Sequence, residues 1–435
     1  MVCAGCSAAI DPSEALPFCC PRADMGDDID HVLRCELADE GLAEAIAASV
    51  AGDERSPFLR FRRLMHSYRL ARRQGMSDVE YCELVSALDR AVAQVDGVGF
   101  VETPYTYCGG LDLWAKDETG NVAGSHKARH LMGLAIHFEV VSRLGLVDLE
   151  DAELAIASCG NAALAAAVIA KAAGRRLRVF VPPSASPVVL RRLEHLGALH
   201  EPCARIPGDP PGDPCYRRFR GAIEGGALPF SCQGRDNGLT IQGGLTLGLE
   251  IAVQHWNLAR SSLGCLFVQV GGGALASGIF QGLRLAERAG LVARRPRFCA
   301  VQTANAHPLL RAFERAKLEA CASDPAQAIA AARGHRHQYM TPWPDPPESI
   351  ADGILDDETY DWAAIVEGLL ETDGEVVLAD EAMLLRARDL VESELGLRAS
   401  ATGTAGVAGV LTARAGAADN VPMGPISALI TGVRR

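Results

Sequence analysis

Lysine is scarce in this sequence of 435 residues, in which arginine supplies nearly all of the 42 positive charges. The four lysines are Lys116, Lys127, Lys171 and Lys317. Lys127 follows the small residues Gly124 and Ser125, and we predict a helical run from His130 onward. A lysine amine forms a Schiff base with a carbonyl group, which an arginine cannot do. Lys127 is therefore the first candidate for covalent chemistry, and the alternative is a solvated lysine at the start of a helix.

Positive charge is also in deficit overall, and long apolar runs are missing. The formal net charge of −12 argues against a broad surface for nucleic acid or an anionic membrane. No apolar run reaches the length of a membrane span, and the first residues lack the pattern of a signal peptide. We therefore expect a cytoplasmic protein with no nucleic-acid or membrane partner. Most of the 14 cysteines should then be small core residues rather than disulfides.

Residues 1–35 hold a group of cysteines that predicts a structural zinc site. A Cys-x2-Cys pair places two thiolates on one tight turn, and further ligands about a dozen residues later complete a tetrahedron. The preferred ligands are Cys3, Cys6, Cys20 and His31, with Cys19 or Cys35 as substitutes. The alternative is an unstructured tail whose cysteines are unrelated.

Helical spacing of apolar residues predicts a helical extension over residues 36–98, in which Ser77 opens a helix. From Gly99 the pattern changes to alternating strands and helices. The apolar strand 154–157, the small-residue turn Ser158–Ala163, an alanine-rich helix and the strand 177–181 form a βαβ unit, so a parallel sheet is expected. The turn directs backbone N–H groups and the amide of Asn161 to one point, which suits the carboxylate of an amino acid.

A second strand-turn-helix unit runs from the strand 265–270 through Gly271, Gly272 and Gly273 to a helix predicted from Ser277. Glycines let backbone amides wrap a phosphate, and the helix dipole adds to the attraction. The spacing matches neither a P-loop nor G-x-G-x-x-G, so a phosphate monoester is favoured over a nucleotide. The alternative is a tight turn without a ligand.

Four features occupy the last part of the chain. Residues 298–302 predict a strand, and the proline-rich segment 340–347 is either a lid or a linker. A helix is predicted from Ala401, and a last strand ends at the hydroxyl of Thr431.

The chain resembles the fold-type II pyridoxal-phosphate enzymes of the tryptophan synthase β-like superfamily, in particular the threonine synthase and threonine dehydratase group. The resemblance covers about Thr103 to Thr431 and depends on several short motifs that occur in the order typical of the family. They are Gly124-Ser-His-Lys127, Ser158-Cys-Gly-Asn161, Gln242-Gly243, Gly271-Gly-Gly-Ala-Leu275, Ile350-Ala-Asp-Gly353 and Thr402-Gly-Thr404. The Cys-rich N-terminus is also similar to that of some threonine synthase-like proteins.

The resemblance implies an α/β fold of two open parallel-sheet domains, with the zinc-binding and helical extension at the N-terminus. The large, cofactor-binding domain would comprise residues 99–124 and 231–435, and the small domain residues 125–230, which carry the asparagine loop. It further implies pyridoxal 5'-phosphate as cofactor, a small amino acid as substrate and a homodimer.

Roles follow from the resemblance position by position. Lys127 would carry the Schiff base and move protons at Cα, and His126 would approach the phosphate. Asn161 would bond the phenolic oxygen of the cofactor, and Thr431 its pyridine nitrogen. The phosphate would lie on Gly271, Gly272, Gly273, Ala274 and Leu275. The substrate would lie on Ser125, Ser158, Cys159, Gly160, Asn161 and Ala162.

The sequence departs from the family pattern on the substrate side. His126 stands where Phe or Tyr is usual, Cys159 where a second Ser or Thr is common, and Gly244 where a lysine follows Gln-Gly. These changes bear on threonine formation and leave the cofactor site intact. We therefore expect a lyase or synthase that carries out β- or γ-elimination or replacement. The alternatives are an amino-acid racemase, a non-catalytic regulator that binds pyridoxal phosphate or zinc, and a nucleic-acid module built on the cysteines.

Overall fold

The computed structural model describes residues 1–24, 26–209, 212–344, 347–416 and 424–435. The proline-rich segment predicted as a lid or linker lies partly outside these residues. Its described residues, 340–344 and 347, contain no helix or strand.

The described residues of the N-terminal region form two short strands, four α-helices and a 3-10 turn at Arg62–Leu64. Strands β1 (Val2–Cys3) and β2 (Leu33–Arg34) pair antiparallel. They are followed by α1 (Leu42–Ala51), α2 (Pro57–Arg60), α3 (His66–Arg73) and α4 (Asp78–Asp96). Ser77 caps α4 in a reciprocal arrangement with Glu80, since the serine side chain accepts from the Glu80 N–H and the Glu80 side chain accepts from the Ser77 N–H. The predicted helical extension and its start at Ser77 are confirmed.

A six-stranded sheet forms the larger layer. Its strands are β3 (Tyr105–Cys108), β4 (Leu113–Asp117), β9 (Cys265–Gln269), β10 (Arg297–Thr303), β11 (Glu375–Ala379) and β12 (Ile426–Ile430). Their order is β11-β10-β9-β12-β4-β3, and all neighbours are parallel except β3 and β4. β9 and β12 are buried along their length and mostly apolar, as expected for central strands covered by helices on both faces.

A four-stranded sheet forms the smaller layer. Its strands β5 (Glu153–Ala157), β6 (Arg176–Val181), β7 (Leu199–Pro202) and β8 (Leu228–Pro229) pair in the order β7-β6-β5-β8, all parallel. The expected βαβ unit is present, because α6 (Asn161–Ala172) connects β5 to β6. The α/β class with parallel-sheet domains is confirmed, while the boundaries given above for the two domains remain a prediction.

The remaining helices cover the two sheets. They are α5 (Lys127–Arg143), α7 (Pro187–His195), α8 (Pro214–Glu224), α9 (Ile241–Ala259), α10 (Ala274–Arg288), α11 (Pro308–Ala322), α12 (Pro325–Gly334), α13 (Arg336–Tyr339), α14 (Trp362–Glu371), α15 (Glu381–Leu395) and α16 (Ala401–Ala415). Two predicted starts were late, because α5 begins at Lys127 and not at His130, and α10 begins at Ala274 and not at Ser277. In the described part of the chain, no helix is both long and apolar enough to cross a membrane.

Close packing of α9 against α5 explains the glycine of the Gln242-Gly243 pair. A side chain at Gly243 would collide with the backbone carbonyl of Arg129 in the first turn of α5. Gln242 is buried and accepts a hydrogen bond from the backbone N–H of His66, at 2.9 Å. Gly243 therefore lets α9 approach the turn that carries Lys127, and Gln242 ties α9 to the start of α3.

Candidate active site

Lys127 is the first residue of α5, and the backbone before it is tied to the end of β12. Ser125 forms an antiparallel bridge with Gly432, and the His126 N–H donates to the carbonyl of Thr431 at 3.1 Å. Lys127 itself is half-buried. The candidate lysine and the candidate hydroxyl, about 300 residues apart in sequence, are thus neighbours in the fold.

Two buried histidines on the first turn of α5 are neutral. The Nδ1 atoms of His126 and His130 donate to the carbonyls of Thr431 and Thr240, at 3.2 and 2.8 Å. Burial, together with the nearby Lys127 charge, lowers the pKa of His130 to about 3 and that of His126 well below its usual value. Each Nε2 is left as a buried acceptor without a hydrogen-bond partner among the described residues.

A buried ion-pair network holds the same turn from the other side. The Arg129 guanidinium donates to Glu118 at 2.8 Å and to Glu250 at 2.7 Å, and the Lys116 Nζ donates to Glu250 at 2.7 Å. All four side chains are at most 1% exposed. Burial alone would raise the pKa of Glu250, but the charges of Arg129 and Lys116 hold it at about 2. This network was not predicted from the sequence, although a buried cation requires such partners.

The asparagine loop approaches the same place from the smaller sheet. Asn161 is the first residue of α6, and its amide nitrogen would lie 3.0 Å from a Cβ at Gly432. Its Oδ1 accepts a hydrogen bond from Arg435 Nε at 3.0 Å. Ser158 joins the loop to the sheet through its N–H, which donates to the Phe180 carbonyl, and the Cys159 thiol is exposed. Gly160 caps α6 without a side-chain hydrogen bond, and Ala162 follows Asn161 in the first turn. The loop thus contains five of the six residues predicted to hold the substrate, and Ser125 is the sixth.

Thr431 lies where β12 ends and is oriented by a residue that was not singled out from the sequence. Gln269, at the end of β9, donates from Nε2 to Thr431 Oγ1 at 2.8 Å and to the Gly403 carbonyl at 2.9 Å. As the Thr431 hydroxyl accepts from Gln269, its own proton remains available to a ligand acceptor. Gln269 also connects this hydroxyl to the Thr402-Gly403 motif.

The glycine turn leads into α10 as predicted, and it is crowded on one side. Gly273 has φ +99, a left-handed conformation that favours glycine, and it caps α10 without a side-chain hydrogen bond. The segment 354–361 lies against the turn. A side chain at Gly271 would collide with Asp356, and one at Gly272 would lie 3.1 Å from the Tyr360 ring. The three glycines are therefore required by this close approach as well as by any ligand.

The segment 354–361 brings two carboxylates to the turn. Burial raises the pKa of Asp356 to about 6 and that of Asp361 to about 7, and the Lys127 charge opposes both increases. Asp361 also fixes the turn, because its N–H donates to the Gly272 carbonyl at 3.0 Å and its Oδ2 accepts from the Gly234 N–H at 3.1 Å. The predicted motif ended at Gly353 and did not include the acidic run that follows.

The four predicted metal ligands of the N-terminal region lie together. Ligand atoms of Cys3, Cys6, Cys20 and His31 are all within 4.8 Å of one another. Cys3 Sγ is 3.3 Å from His31 Nδ1, and Cys6 Sγ is 3.6 Å from Cys20 Sγ. Zn–S bonds of about 2.3 Å at tetrahedral angles require spacings of roughly this size. The proposed substitutes lie outside the group, and the thiol of Cys19 instead faces the carbonyls of Arg235 and Asp236.

The chain belongs to the family of pyridoxal-phosphate dependent enzymes, whose sequence profile matches residues 99–432. Its fold is that of the fold-type II enzymes of this family. A comparison with curated proteins found no match.

Solved structures share this fold at low sequence identity. A threonine deaminase from T.th. is 20% identical with a TM-score of 0.58, over 81% of this chain and 98% of that one. Maize serine racemase is 18% identical with a TM-score of 0.58, over 80% and 92%. An L-serine ammonia-lyase from the fungus Rhizomucor miehei is 17% identical with a TM-score of 0.56, over 77% and 94%. At such identities the likeness shows the fold alone.

The residues present fit pyridoxal phosphate. The start of α10 offers backbone N–H groups that no side chain caps, which suits a phosphate. The Thr431 hydroxyl retains a proton to donate, and Asn161 and Lys127 flank the same bridge between Ser125 and Gly432. The family therefore implies the cofactor, and the residues present are chemically compatible with it.

Proposed function

We propose that this protein acts on a small α-amino acid by β- or γ-elimination or replacement. The observation that supports it is the convergence of Lys127, Asn161 and Thr431 at the bridge between Ser125 and Gly432. Each residue reaches this point from a different element, namely α5, α6 and the end of β12. Such convergence of an amine, an amide and a hydroxyl is what a covalent aldehyde cofactor requires.

Each residue has a task in this proposal. Lys127 would hold the carbonyl carbon of the cofactor and carry the proton that leaves the substrate Cα. Thr431 would face the pyridine nitrogen, Asn161 the phenolic oxygen, and residues 271–275 the phosphate, with His126 beside it. The backbone of 158–162 and Ser125 would hold the substrate carboxylate. When bound, the cofactor supplies the electron sink for the negative charge that develops at Cα.

The neutral hydroxyl at Thr431 favours elimination or replacement over transamination. A carboxylate at this position would stabilise a protonated ring nitrogen, and a hydroxyl does not. We therefore expect the substrate to lose a β or γ group after the Cα proton has been removed.

Borohydride reduction of the protein with its cofactor tests the role of Lys127. Mass spectrometry should locate the trapped adduct on Lys127, and Lys127→Ala should abolish it. Lys171→Ala is the matched control, since Lys171 is exposed at the end of α6 and should leave the adduct intact. An adduct that persists on another lysine in Lys127→Ala would refute the assignment.

Exchange of the substrate Cα proton in D2O then tests catalysis. We expect Lys127-dependent exchange for at least one amino acid, followed by a 2-oxo acid in an elimination or by a new amino acid when a nucleophile is supplied for a replacement. A trapped adduct without exchange for any amino acid would support the non-catalytic regulator instead.

Racemisation is the second candidate, and it is supported by Cys159 in the asparagine loop, a residue that is exposed overall. Surrounding protein atoms nevertheless desolvate its sulfur, and this desolvation, with the charge of Asp352, raises the pKa of the thiol, so the thiol carries a proton that it can donate. A racemase needs such a second proton carrier besides the lysine. If the protein is a racemase, Cys159→Ala should abolish inversion while Cα exchange persists, whereas elimination should survive this substitution.

We also propose that Cys3, Cys6, Cys20 and His31 bind a structural zinc ion. His31 fits this role, since its Nε2 lies 2.9 Å from Asp27 Oδ2, a partner that orients an imidazole ligand. Metal analysis should give about one zinc per chain, and Cys20→Ser should lose it, whereas Cys321→Ser at an exposed site should not. A wild-type protein without zinc would contradict the proposal.

A homodimer is the assembly that we propose from the family resemblance. Sedimentation equilibrium should give twice the 46.0 kDa mass of the chain. A mass of one chain at micromolar concentration would exclude it.

A further inference from the structure

A cavity lies between the N-terminal segment and the helices that cover the larger sheet. The stretch 30–36 lines it on one side, and α10, α12 and α14 line most of the remainder. Lys127, Asn161 and Thr431 do not line it, and Asp361 borders both places. Its volume of about 50 Å³ has room for a few water molecules or one small ion, which excludes a nucleotide.

Three guanidinium groups in this cavity share one carboxylate. Glu367, on α14, lies 2.9 Å from Arg333 and 3.4 Å from Arg284. Arg34 is 3.8 Å from the same carboxylate and has a second partner in Glu36, at 2.7 Å. Among the residues that the structure describes, Arg284 and Arg333 form no ion pair except that with Glu367. Two arginines therefore depend on a single negative charge.

The other charged groups of the cavity do not remove this excess of positive charge. Arg288 pairs with the exposed Asp39, and Asp30 lies 3.5 Å from Arg336. Burial raises the pKa of Asp361 to about 7, so this group carries only part of a negative charge at neutral pH. The cavity is thus more basic than acidic.

Arg333 gives an independent indication of an anion site. It is 6% exposed and lines the cavity, and its Nε has no hydrogen-bond partner in the described part of the chain. A buried charged donor without a partner costs free energy, which a bound acceptor recovers. The cavity can be reached from solvent beside Arg34 and Arg284, because their side chains are 30% and 36% exposed.

We infer that this cavity binds one small oxyanion of the size of inorganic phosphate, held by Arg284 and Arg333. The planar fork of a guanidinium group matches two oxygens of such an ion, and two guanidinium groups can bind it together. Arg284 lies ten residues beyond Ala274, the first residue of α10. This separation is about 15 Å along the helix, so the ion would be distinct from a phosphate on the glycine turn.

Calorimetric titration of the cofactor-loaded protein with inorganic phosphate at constant ionic strength tests the inference. Loading places the phosphate of the cofactor on the glycine turn, so the titrated phosphate reports a different site. We expect saturable binding of one phosphate per chain, with a dissociation constant below about 10 mM. A wild-type protein without saturable binding in this range overturns the inference.

Two variants should change phosphate affinity in opposite directions. Arg284→Gln should weaken binding about tenfold, because a charge-assisted hydrogen bond is lost. Glu367→Gln should strengthen binding, because it removes the carboxylate that competes for the same guanidinium groups while the amide keeps its shape. A purely structural role of the cluster would not strengthen binding in either variant. Arg315→Gln is the matched control, since Arg315 is 47% exposed on α11 and should leave the affinity unchanged.

The outcomes locate the anion. Equal phosphate affinity of wild type and Arg284→Gln, or weaker binding by Glu367→Gln, would place the ion elsewhere and overturn the inference. If Glu367→Gln fails to fold, Arg284→Gln still decides the question, because its side chain is partly exposed. If the wild-type protein takes up no cofactor, the proposed function fails, and the titrations of wild type and Arg284→Gln remain decisive for this cavity.

Discussion

Two regions that border the first turn of α5 treat their buried carboxylates differently, because only one of them supplies basic side chains as partners. In the network behind α5, Glu118 and Glu250 are matched by Arg129 and Lys116 within 2.8 Å. In the segment beside the glycine turn, Asp356 and Asp361 face the single charge of Lys127. The pKa values move in opposite directions, to about 2 for Glu250 and to about 7 for Asp361.

The presence or absence of a basic partner distinguishes carboxylates that stabilise the fold from carboxylates that are able to bind a ligand. Paired charges lock one arrangement of α5, α9 and β4, and they leave no capacity to bind a ligand. Unpaired carboxylates cost stability in the free protein, and that cost is tolerated at sites where a ligand supplies the missing partner. The two regions meet in the first turn of α5, where Arg129 belongs to the network and Lys127, two residues earlier, faces the acids.

Removal of Glu250 should have the largest effect. Glu250→Ala leaves Arg129 and Lys116 buried with too few partners, and we expect a loss of about 3–5 kcal/mol in the free energy of unfolding. Urea unfolding followed by circular dichroism would measure it. The first turn of α5 should loosen as well, so the borohydride adduct on Lys127 should form in lower yield.

Glu139→Ala is the matched control for this loss. Glu139 also lies on α5 and pairs with Arg175 at 2.7 Å, but its side chain is 31% exposed. A partly exposed pair contributes below about 1 kcal/mol. Equal losses in the two variants would show that the buried network has no special part in stability.

Replacing Asp361 by the neutral Asn should increase the free energy of unfolding at pH 8, whereas Glu250→Ala should decrease it. The pKa of Asp361 in the folded protein, about 7, lies above the ordinary 3.8, so the unfolded chain releases this proton first as the pH rises. Stability from this group is present at low pH and is lost as the pH passes through 7. Asp361→Asn should therefore be more stable than wild type at pH 8, and its advantage should be about 2 kcal/mol smaller at pH 5.

Asp78→Asn is a control, because the pKa of Asp78 is lowered where that of Asp361 is raised. Hydrogen bonds from Arg62 lower the pKa of Asp78 to about 2, so its contribution is constant between pH 5 and pH 8 and is lost only in acid. This variant should be less stable than wild type by the same amount at both pH values. If the free energies of unfolding of Asp361→Asn and wild type differ by the same amount at every pH in this range, Asp361 does not have the raised pKa that its burial without a basic partner predicts.

Residues at the ends of strands could be predicted from the sequence, because parallel strands bring their carboxyl ends to one edge of a sheet. The stretches around Asn161, Gly271 and Thr431 follow apolar strands in the sequence, whereas Lys127 is distinguished as one of four lysines, behind small residues. Their meeting at the bridge between Ser125 and Gly432 needed the tertiary structure, since about 300 residues separate the two sides.

The acidic segment could not be predicted from its own composition. An acidic run such as 356–361 normally indicates a solvated loop. It becomes part of the site only because the glycines at 271–273 allow it to approach the turn, and a phosphate alone was enough to explain these glycines in the sequence. Gln269 was missed for a similar reason, because a polar residue inside an apolar strand has no local pattern that reveals its partner, Thr431.

Replacement of Arg435 should have the smallest effect of these changes, a modest loss of amino-acid affinity. Its guanidinium is exposed and donates to Asn161 Oδ1, beside the loop proposed to hold the substrate carboxylate. An exposed charge contributes up to about 1 kcal/mol, so Arg435→Ala should weaken amino-acid binding by up to about fivefold and leave cofactor affinity unchanged. Arg434→Ala is the matched control, because that side chain pairs with Glu392 instead. Tighter cofactor binding by Arg435→Ala would mean that the arginine competes with the cofactor for Asn161. Asn161 would then be paired with Arg435 in the free protein and with the cofactor in the loaded protein.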